Sequence, residues 1–128
     1  MSTLTIIAVA SGGAVGATLR LLINGFVNRH VEHILPFGTL AVNLIGSLII
    51  GILFAYFHLN SSFPPALKTF LVTGILGALT TYSTFAIESF FLLDGGHYAH
   101  AFANMALNLI GTIMMAGLGY LGVLYFTK

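Results

Sequence analysis

Four apolar runs, each close to or beyond the ~20 residues a helix needs to cross the hydrocarbon of a bilayer, take up almost the whole chain. They extend roughly over Leu4–Phe26, Phe37–Phe57, Leu67–Leu93 and Tyr98–Phe126. The connections are short and rich in chain breakers. Asn28 to Pro36 carries Arg29, His30, Glu32 and His33; Asn60 to Pro65 carries Ser61, Ser62 and Pro64; Asp94-Gly95-Gly96 makes a tight turn. The pattern predicts an all-α membrane protein: four transmembrane helices in a single transmembrane domain over residues 1–128, with the third and fourth as antiparallel neighbours. A soluble domain of this size needs a charged surface, and only 5% of these residues are charged against 58% hydrophobic. The first run is read as a span rather than a cleaved leader, because no Lys or Arg precedes it and it exceeds a typical signal core.

The charges that do occur are evenly divided. Arg20 and Arg29 belong to the side of the first connection, Lys68 and Lys128 to the opposite side. Positive residues set orientation, so a two-against-two balance gives the insertion machinery no preferred direction. The expectation is dual topology and an antiparallel homodimer with an inverted two-fold in the membrane plane. Four helices alone are also too few to enclose a solvated pathway. No basic patch suits nucleic acid, no cysteine supplies a thiolate or disulfide, and no nucleophile–base pair, metal-ligand cluster or nucleotide loop suggests an enzyme.

The third run departs most from an ordinary span. Gly74-Ile-Leu-Gly-Ala-Leu-Thr-Thr-Tyr-Ser-Thr-Phe85 sets two glycines and four hydroxyls at its centre. Irregular backbone at membrane depth persists only where it is buried in protein or lines a wet cavity. A break in the third helix is therefore predicted, with Gly74 and Gly77 immediately preceding the hydroxyl run, where unwinding would expose carbonyls and amides; a polar packing face is the alternative.

Two ionisable residues lie inside the runs, Arg20 and Glu88, and an intramembrane charge marks a functional site by default. Arg20 is near enough to the predicted end of its helix to snorkel to a vestibule, while Glu88 is deeper. Uncharged polar residues fall into stripes of i, i+4 spacing, which lie on one helix face: Asn104, Asn108 and Thr112 in the fourth run, Asn43, Ser47 and Gly51 in the second, Thr84 and Glu88 in the third. Such stripes either join helices through modest hydrogen bonds or line a track of donors and acceptors; three of them beside a broken helix favour a track. Gly12-x-x-x-Gly16 reads as a close-packing motif.

These residues resemble the Fluc (CrcB) family of fluoride channels over essentially the entire chain. The resemblance is carried by Gly12-Gly13-x-x-Gly16-Ala17-x-x-Arg20, by Gly38-Thr39-Leu40-x-x-Asn43-x-x-Gly46, and most specifically by Gly74-x-x-Gly77-x-x-Thr80-Thr81-Tyr82-Ser83-Thr84-Phe85-x-x-Glu88. It implies a dual-topology homodimer with two pores in the plasma (inner) membrane, multi-pass, exporting fluoride. By position it implies that the backbone carbonyls of Gly77 and Thr80 hold a structural Na+ at the dimer interface, as hard cations take oxygen ligands. Tyr82 and Phe85 stand at the family's pair of pore phenylalanines, whose positive ring edges face an anion. Asn43 would donate to fluoride near a vestibule with Arg20 at its mouth; Asn104, Asn108 and Thr112 form the fourth-helix track, with Ser83, Thr84 and Glu88 contributing from the third. Two positions depart from the pattern: Tyr82 replaces a phenylalanine and adds a hydroxyl, and Ala78 replaces a second glycine after Gly77.

The implied activity is passive. Fluoride enters as neutral hydrogen fluoride, dissociates inside and leaves through the channel down its gradient. A small, tightly hydrated anion needs close neutral donors, since a ring of fixed cations would hold it too firmly for rapid exit. A multidrug–proton exchanger shares the four helices and dual topology, but its coupling carboxylate would line an aromatic cavity, whereas Glu88 sits beyond the hydroxyl run and the chain has no Trp.

Overall fold

The computed structural model describes residues 1–128 and contains helices and short connections only. Helix α1 (Thr3–His30) is capped by Ser2, whose hydroxyl accepts from Thr5 N at 3.2 Å. Its last turn holds Arg29 and His30 against the negative end of the helix dipole. Helix α2 (Phe37–Leu59) starts directly after Pro36, and its end is followed by an Asx turn in which Asn60 Oδ1 accepts from Ser62 N at 2.9 Å. Helix α6 (Tyr98–Phe126) follows a turn in which Gly96 takes φ 78°, a left-handed conformation suited to glycine.

The third span, Pro65–Asp94, is built in pieces. A short α3 (Pro65–Thr69) begins on prolines, a π-helical stretch covers Phe70–Leu76, α4 (Gly77–Leu79) adds a few residues, and α5 (Tyr82–Asp94) resumes beyond a break. The four segments from Thr3, Phe37, Pro65 and Tyr98 are each long and apolar enough to cross a membrane.

The break falls at Thr80 and Thr81, both in extended conformation, within the hydroxyl run that follows the glycines. Gly77 remains helical, with φ −62° and ψ −34°. Gly74 lies in the π-helical stretch and presses on α1: a Cβ on Gly74 would stand 2.9 Å from the Gly12 Cα, and one on Gly16 would overlap the Ile75 carbonyl. Gly12, Gly16 and Gly74 therefore serve close packing between α1 and the third span, whereas a Cβ on Gly77 would meet no atom of α1 and the residue is exposed. Threonines suit the break because β-branched chains tolerate extended backbone and a hydroxyl can replace a lost backbone partner. Thr81 Oγ1 does so, accepting from Thr84 N at 3.3 Å as the cap of α5, while Thr80 Oγ1 adds a second donor, at 2.9 Å, to the Leu76 carbonyl that Thr80 N already bonds at 3.1 Å.

Helices α2 and α6 approach in the same way, through Gly51 at the Ala116 carbonyl and Gly119 at the Leu48 carbonyl. The buried apolar core is small: Val42, Leu76 and Leu79 meet where α2 crosses the third span just before the break. Large side chains such as Leu22, Phe102, Ile113 and Leu121 point outward, as lipid-facing helices require.

Candidate ion pathway at the helix break

Asn43 of α2 holds the break open. Its Oδ1 accepts from Thr81 N at 2.8 Å, and its Nδ2 donates to Thr81 O at 3.1 Å and to Asn108 Oδ1 at 2.9 Å. A carboxamide thus stands in for a neighbouring strand, pairing with both backbone groups of one unwound residue. The effect on the preceding turn follows from helix geometry. In a continuous helix Thr81 N would bond to the Gly77 carbonyl and Thr84 N to the Thr80 carbonyl. Here Thr81 N goes to Asn43 and Thr84 N to the Thr81 hydroxyl, so the carbonyls of Gly77 and Thr80 are released from the ladder.

From Asn43 the polar network runs into α6. Asn108 Nδ2 donates to Asn104 O at 2.9 Å and to Asn104 Oδ1 at 3.1 Å, and Asn104 Nδ2 donates to Ser89 Oγ at 2.9 Å. Thr112 Oγ1 donates to the Asn108 carbonyl. Asn104 is 1% exposed, so its amide works wholly inside the protein.

Two cavities flank the break. An open groove of about 860 Å³ is bordered by Asn43, Ser47, Gly77, Thr80, Tyr82, Phe85, Asn108 and Thr112, with aliphatic side chains between them. The rings of Tyr82 and Phe85 meet edge to face, 5.4 Å between centroids, and Tyr82 is 81% exposed on the isolated chain. A smaller cavity of about 260 Å³ lies on the other side, lined by Arg20, Asn24, Thr39, Thr81, Thr84 and small apolar contacts from Ala17, Leu21 and Val42. Thr81 borders both. The unwound residue is the partition between them.

Arg20 sits about 15 Å along the axis from the end of α1 at His30, because the helix continues well past the apolar run. It borders a cavity within the span and is further from the helix end than the sequence pattern placed it. Glu88 touches neither cavity; its Oε1 accepts from Thr39 Oγ1 at 2.6 Å. Ser83 is exposed and also borders neither. The structure therefore gathers Asn43, Tyr82, Phe85, Asn108, Thr112, Gly77 and Thr80 around the groove, and Arg20 with Thr84 in the small cavity. Asn104 and Glu88 are tied into the packing behind them.

Ser89 and Asn24 belong to the site without having been singled out, and Thr39 and Thr81, quoted as motif residues, were given no role of their own. Thr39 continues the Asn43–Ser47–Gly51 stripe one turn earlier, and Asn24 follows Arg20 by four residues, so both carried a readable signal. Ser89 carried none beyond its hydroxyl.

Four bilayer-length helices, one interrupted at a pair of threonines between two polar-lined cavities, define a small polytopic membrane protein with a site suited to ions. Residues 7–120 match the family described as CrcB-like protein, Camphor Resistance (CrcB). A fluoride-specific ion channel FluC from Sulfurimonas denitrificans is 58% identical over 120 residues, covering 94% of this chain and 93% of that protein. Fluoride-specific ion channels from Nautilia profundicola (46% identical over 119 residues, 93% of each chain) and Campylobacter jejuni (44% over 117 residues, 91% of this chain and 95% of the other) are similar along the same length. The chain belongs to the CrcB family, and these relatives are named as ion channels, a class that does no covalent chemistry.

Proposed function

We propose that this protein is a fluoride-selective channel of the cell's inner membrane, working as a dual-topology antiparallel homodimer that lets cytoplasmic fluoride leave passively and so protects the cell. The observation that carries it is the full-length likeness to proteins named fluoride-specific ion channels. Its physical support is the neutral donor set at the break. The hydroxyls of Ser47 and Tyr82 border the groove and that of Thr84 the small cavity, none of them donating within the chain, while the hydrogens of Thr80, Thr112 and the Asn43 and Asn108 amides are already given to oxygens of the chain; neutral donors with a free hydrogen replace a hydration shell without trapping the ion.

On this proposal fluoride meets Arg20 in the small cavity, passes the Thr81–Thr84 partition and continues along Tyr82, Phe85 and Thr112. Both Nδ2 hydrogens of Asn43 are shared with Thr81 O and Asn108 Oδ1, so Asn43 acts on the ion by exchanging one of those bonds. Ser83 and Glu88 lie outside the two cavities, and Asn104 contributes by holding Asn108. The groove, with Tyr82 and Gly77 exposed beside it, is the face on which the second copy sits. Sodium fits there: the freed carbonyls of Gly77 and Thr80, doubled by the partner, are the hard neutral oxygens a monovalent cation takes, and the ion would supply positive charge that ties the two breaks together.

The test is anion release from proteoliposomes holding the purified protein, comparing fluoride with chloride, with and without a pH gradient. Fluoride efflux that exceeds chloride efflux and needs no pH gradient is expected. Retained fluoride overturns the channel, and efflux only under a proton gradient points to an exchanger. Dual topology is checked by one-sided labelling of a single introduced cysteine, which would modify about half the copies; complete labelling or none refutes it.

A further inference from the structure

Arg20, Asn24 and Asn28 of α1 are spaced by four residues, so each stands one turn, about 6 Å, further out along the same face. Arg20 and Asn24 line the small cavity together with Thr39, Thr81 and Thr84. Asn28 lies outside it but donates its Nδ2 to Asn24 Oδ1 at 3.4 Å. That bond engages the acceptor end of the Asn24 carboxamide. The donor end, Asn24 Nδ2, has no acceptor within the chain and is left to the cavity. Helix α2 makes room for the arrangement at Gly38, where a Cβ would overlap Asn24 Oδ1 and come within 2.8 Å of Asn28 Oδ1.

The orientation matters because a carboxamide has two opposite ends. Its NH2 attracts an anion and its oxygen repels one. We propose that Asn24 is an anion-binding residue of the pathway, a neutral donor one turn outside Arg20, and that Asn28 is the positioning residue that fixes its polarity. A guanidinium alone at the vestibule would hold a small anion tightly. A neutral donor about 6 Å further out shares the ion and eases its passage between Arg20 and the α1–α2 end of the bundle. The inference rests on the fluoride-channel reading above.

The experiment is fluoride current through the full-length protein in planar bilayers, read as a saturation curve against fluoride concentration. Asn24→Ala is expected to raise the half-saturating concentration about ten- to a hundredfold, the value of one hydrogen bond to a charged group. Asn24→Asp shifts it further. Asn28→Ala shifts it less than Asn24→Ala, and the double variant matches Asn24→Ala alone, because Asn28 acts through Asn24. Should Asn24→Ala fail to assemble, Asn24→Ser, which keeps one donor, is expected to shift the curve less than Asn24→Asp. Half-saturation unchanged in the assembled variants overturns the proposal, as does an Asn28→Ala effect that adds fully to that of Asn24→Ala. A wild-type protein that passes no fluoride instead removes the channel reading on which it rests.

Discussion

Replacing Asn43 by alanine removes three hydrogen bonds and exposes the logic of the break. Thr81 N and Thr81 O each lose their partner, and Asn108 Oδ1 loses a donor while Asn108 Nδ2 keeps Asn104. An orphaned buried backbone group costs about 1–3 kcal/mol. Thr81 is buried yet borders both cavities, so water can reach it, which favours the low end for each of its two groups. The loss of Asn108's partner adds little, because that oxygen lies in the same hydrated region. The expected destabilisation is about 2–4 kcal/mol, compared with the ~0.6 kcal/mol typical of an interhelical bond in a membrane. Asparagine at this position is therefore a brace whose removal exceeds the loss of an ordinary contact.

Thermal unfolding of the detergent-solubilised protein and fluoride release from proteoliposomes measure the two consequences together. Asn43→Ala is expected to lower the unfolding midpoint clearly and to reduce flux at least about tenfold, since 1.4 kcal/mol misplaced at the partition corresponds to that factor. Asn43→Asp keeps the acceptor for Thr81 N but turns a second oxygen towards Thr81 O and Asn108 Oδ1, so it should be no more stable and should also repel the anion. If Asn43 served only as a donor to the ion, Asn43→Ala would lose flux at an unchanged midpoint. A wild-type midpoint in assembled Asn43→Ala refutes the brace.

Other substitutions probe the remaining supports. Gly16→Val, whose side chain would run into the Ile75 carbonyl, should cost about 1–3 kcal/mol by overpacking; Gly13→Ala, with open space at the same helix, should stabilise by up to about 1 kcal/mol through helix propensity, both read by thermal unfolding. Thr39→Val deletes the donor to Glu88 Oε1 and should cost about 1–2 kcal/mol, whereas Glu88→Gln retains an accepting oxygen and should stay near wild type; equal midpoints for the two refute the pairing. Phe85→Ile should assemble normally and cut fluoride efflux several-fold by removing the ring edge that Tyr82 abuts, while Tyr82→Phe keeps the ring pair and should hold efflux within about twofold. A Tyr82→Phe protein as impaired as Phe85→Ile would assign the work to the hydroxyl.

The helical architecture was legible because apolar length alone dictates it, and the polar stripes were legible because a spacing of four projects onto one face. Asn43, Asn108 and Thr112 do converge on the groove, and Asn104 continues the same α6 stripe into the packing. The break was legible as far as the hydroxyl run, where Thr80 and Thr81 are extended, but not what the glycines before it do. Gly74 has weak helix propensity, yet it stays in the helical stretch with α1 pressing on it through Gly12, a contact 62 residues distant in sequence. Likewise Thr39 and Glu88 are separated by 49 positions, and nothing local announces that a hydroxyl on α2 will meet the carboxyl of α5. The π-helical turn over Phe70–Leu76 has no sequence signature of its own; it is the third span adjusting its phase so that the small face of α1 can approach.

The polar groups of the span divide by whether their hydrogen-bonding capacity is already used. Asn43, Asn104, Asn108 and Ser89 are joined to one another and to Thr81 through bonds of 2.8–3.1 Å, and every buried side-chain polar atom has a partner. Such groups fix geometry, and they attract an ion only by surrendering a bond. Ser47 and Tyr82, by contrast, border the groove with hydroxyls that make no bond within the chain, and the small cavity is bordered by Arg20 and by Asn24, whose Nδ2 donates to nothing in the chain although its Oδ1 accepts from Asn28. A path for a strongly hydrated anion needs donors with unused capacity, while the backbone break that joins the two cavities needs groups with none. The bundle meets both demands because the saturated residues bond Thr81 and one another at the break, while the unsaturated donors lie in the cavities on its two sides. Residues drawn from the same i, i+4 stripes therefore do different work according to depth, and a polar residue's place in this network, more than its place in a stripe, decides whether its loss is felt first in stability or in flux.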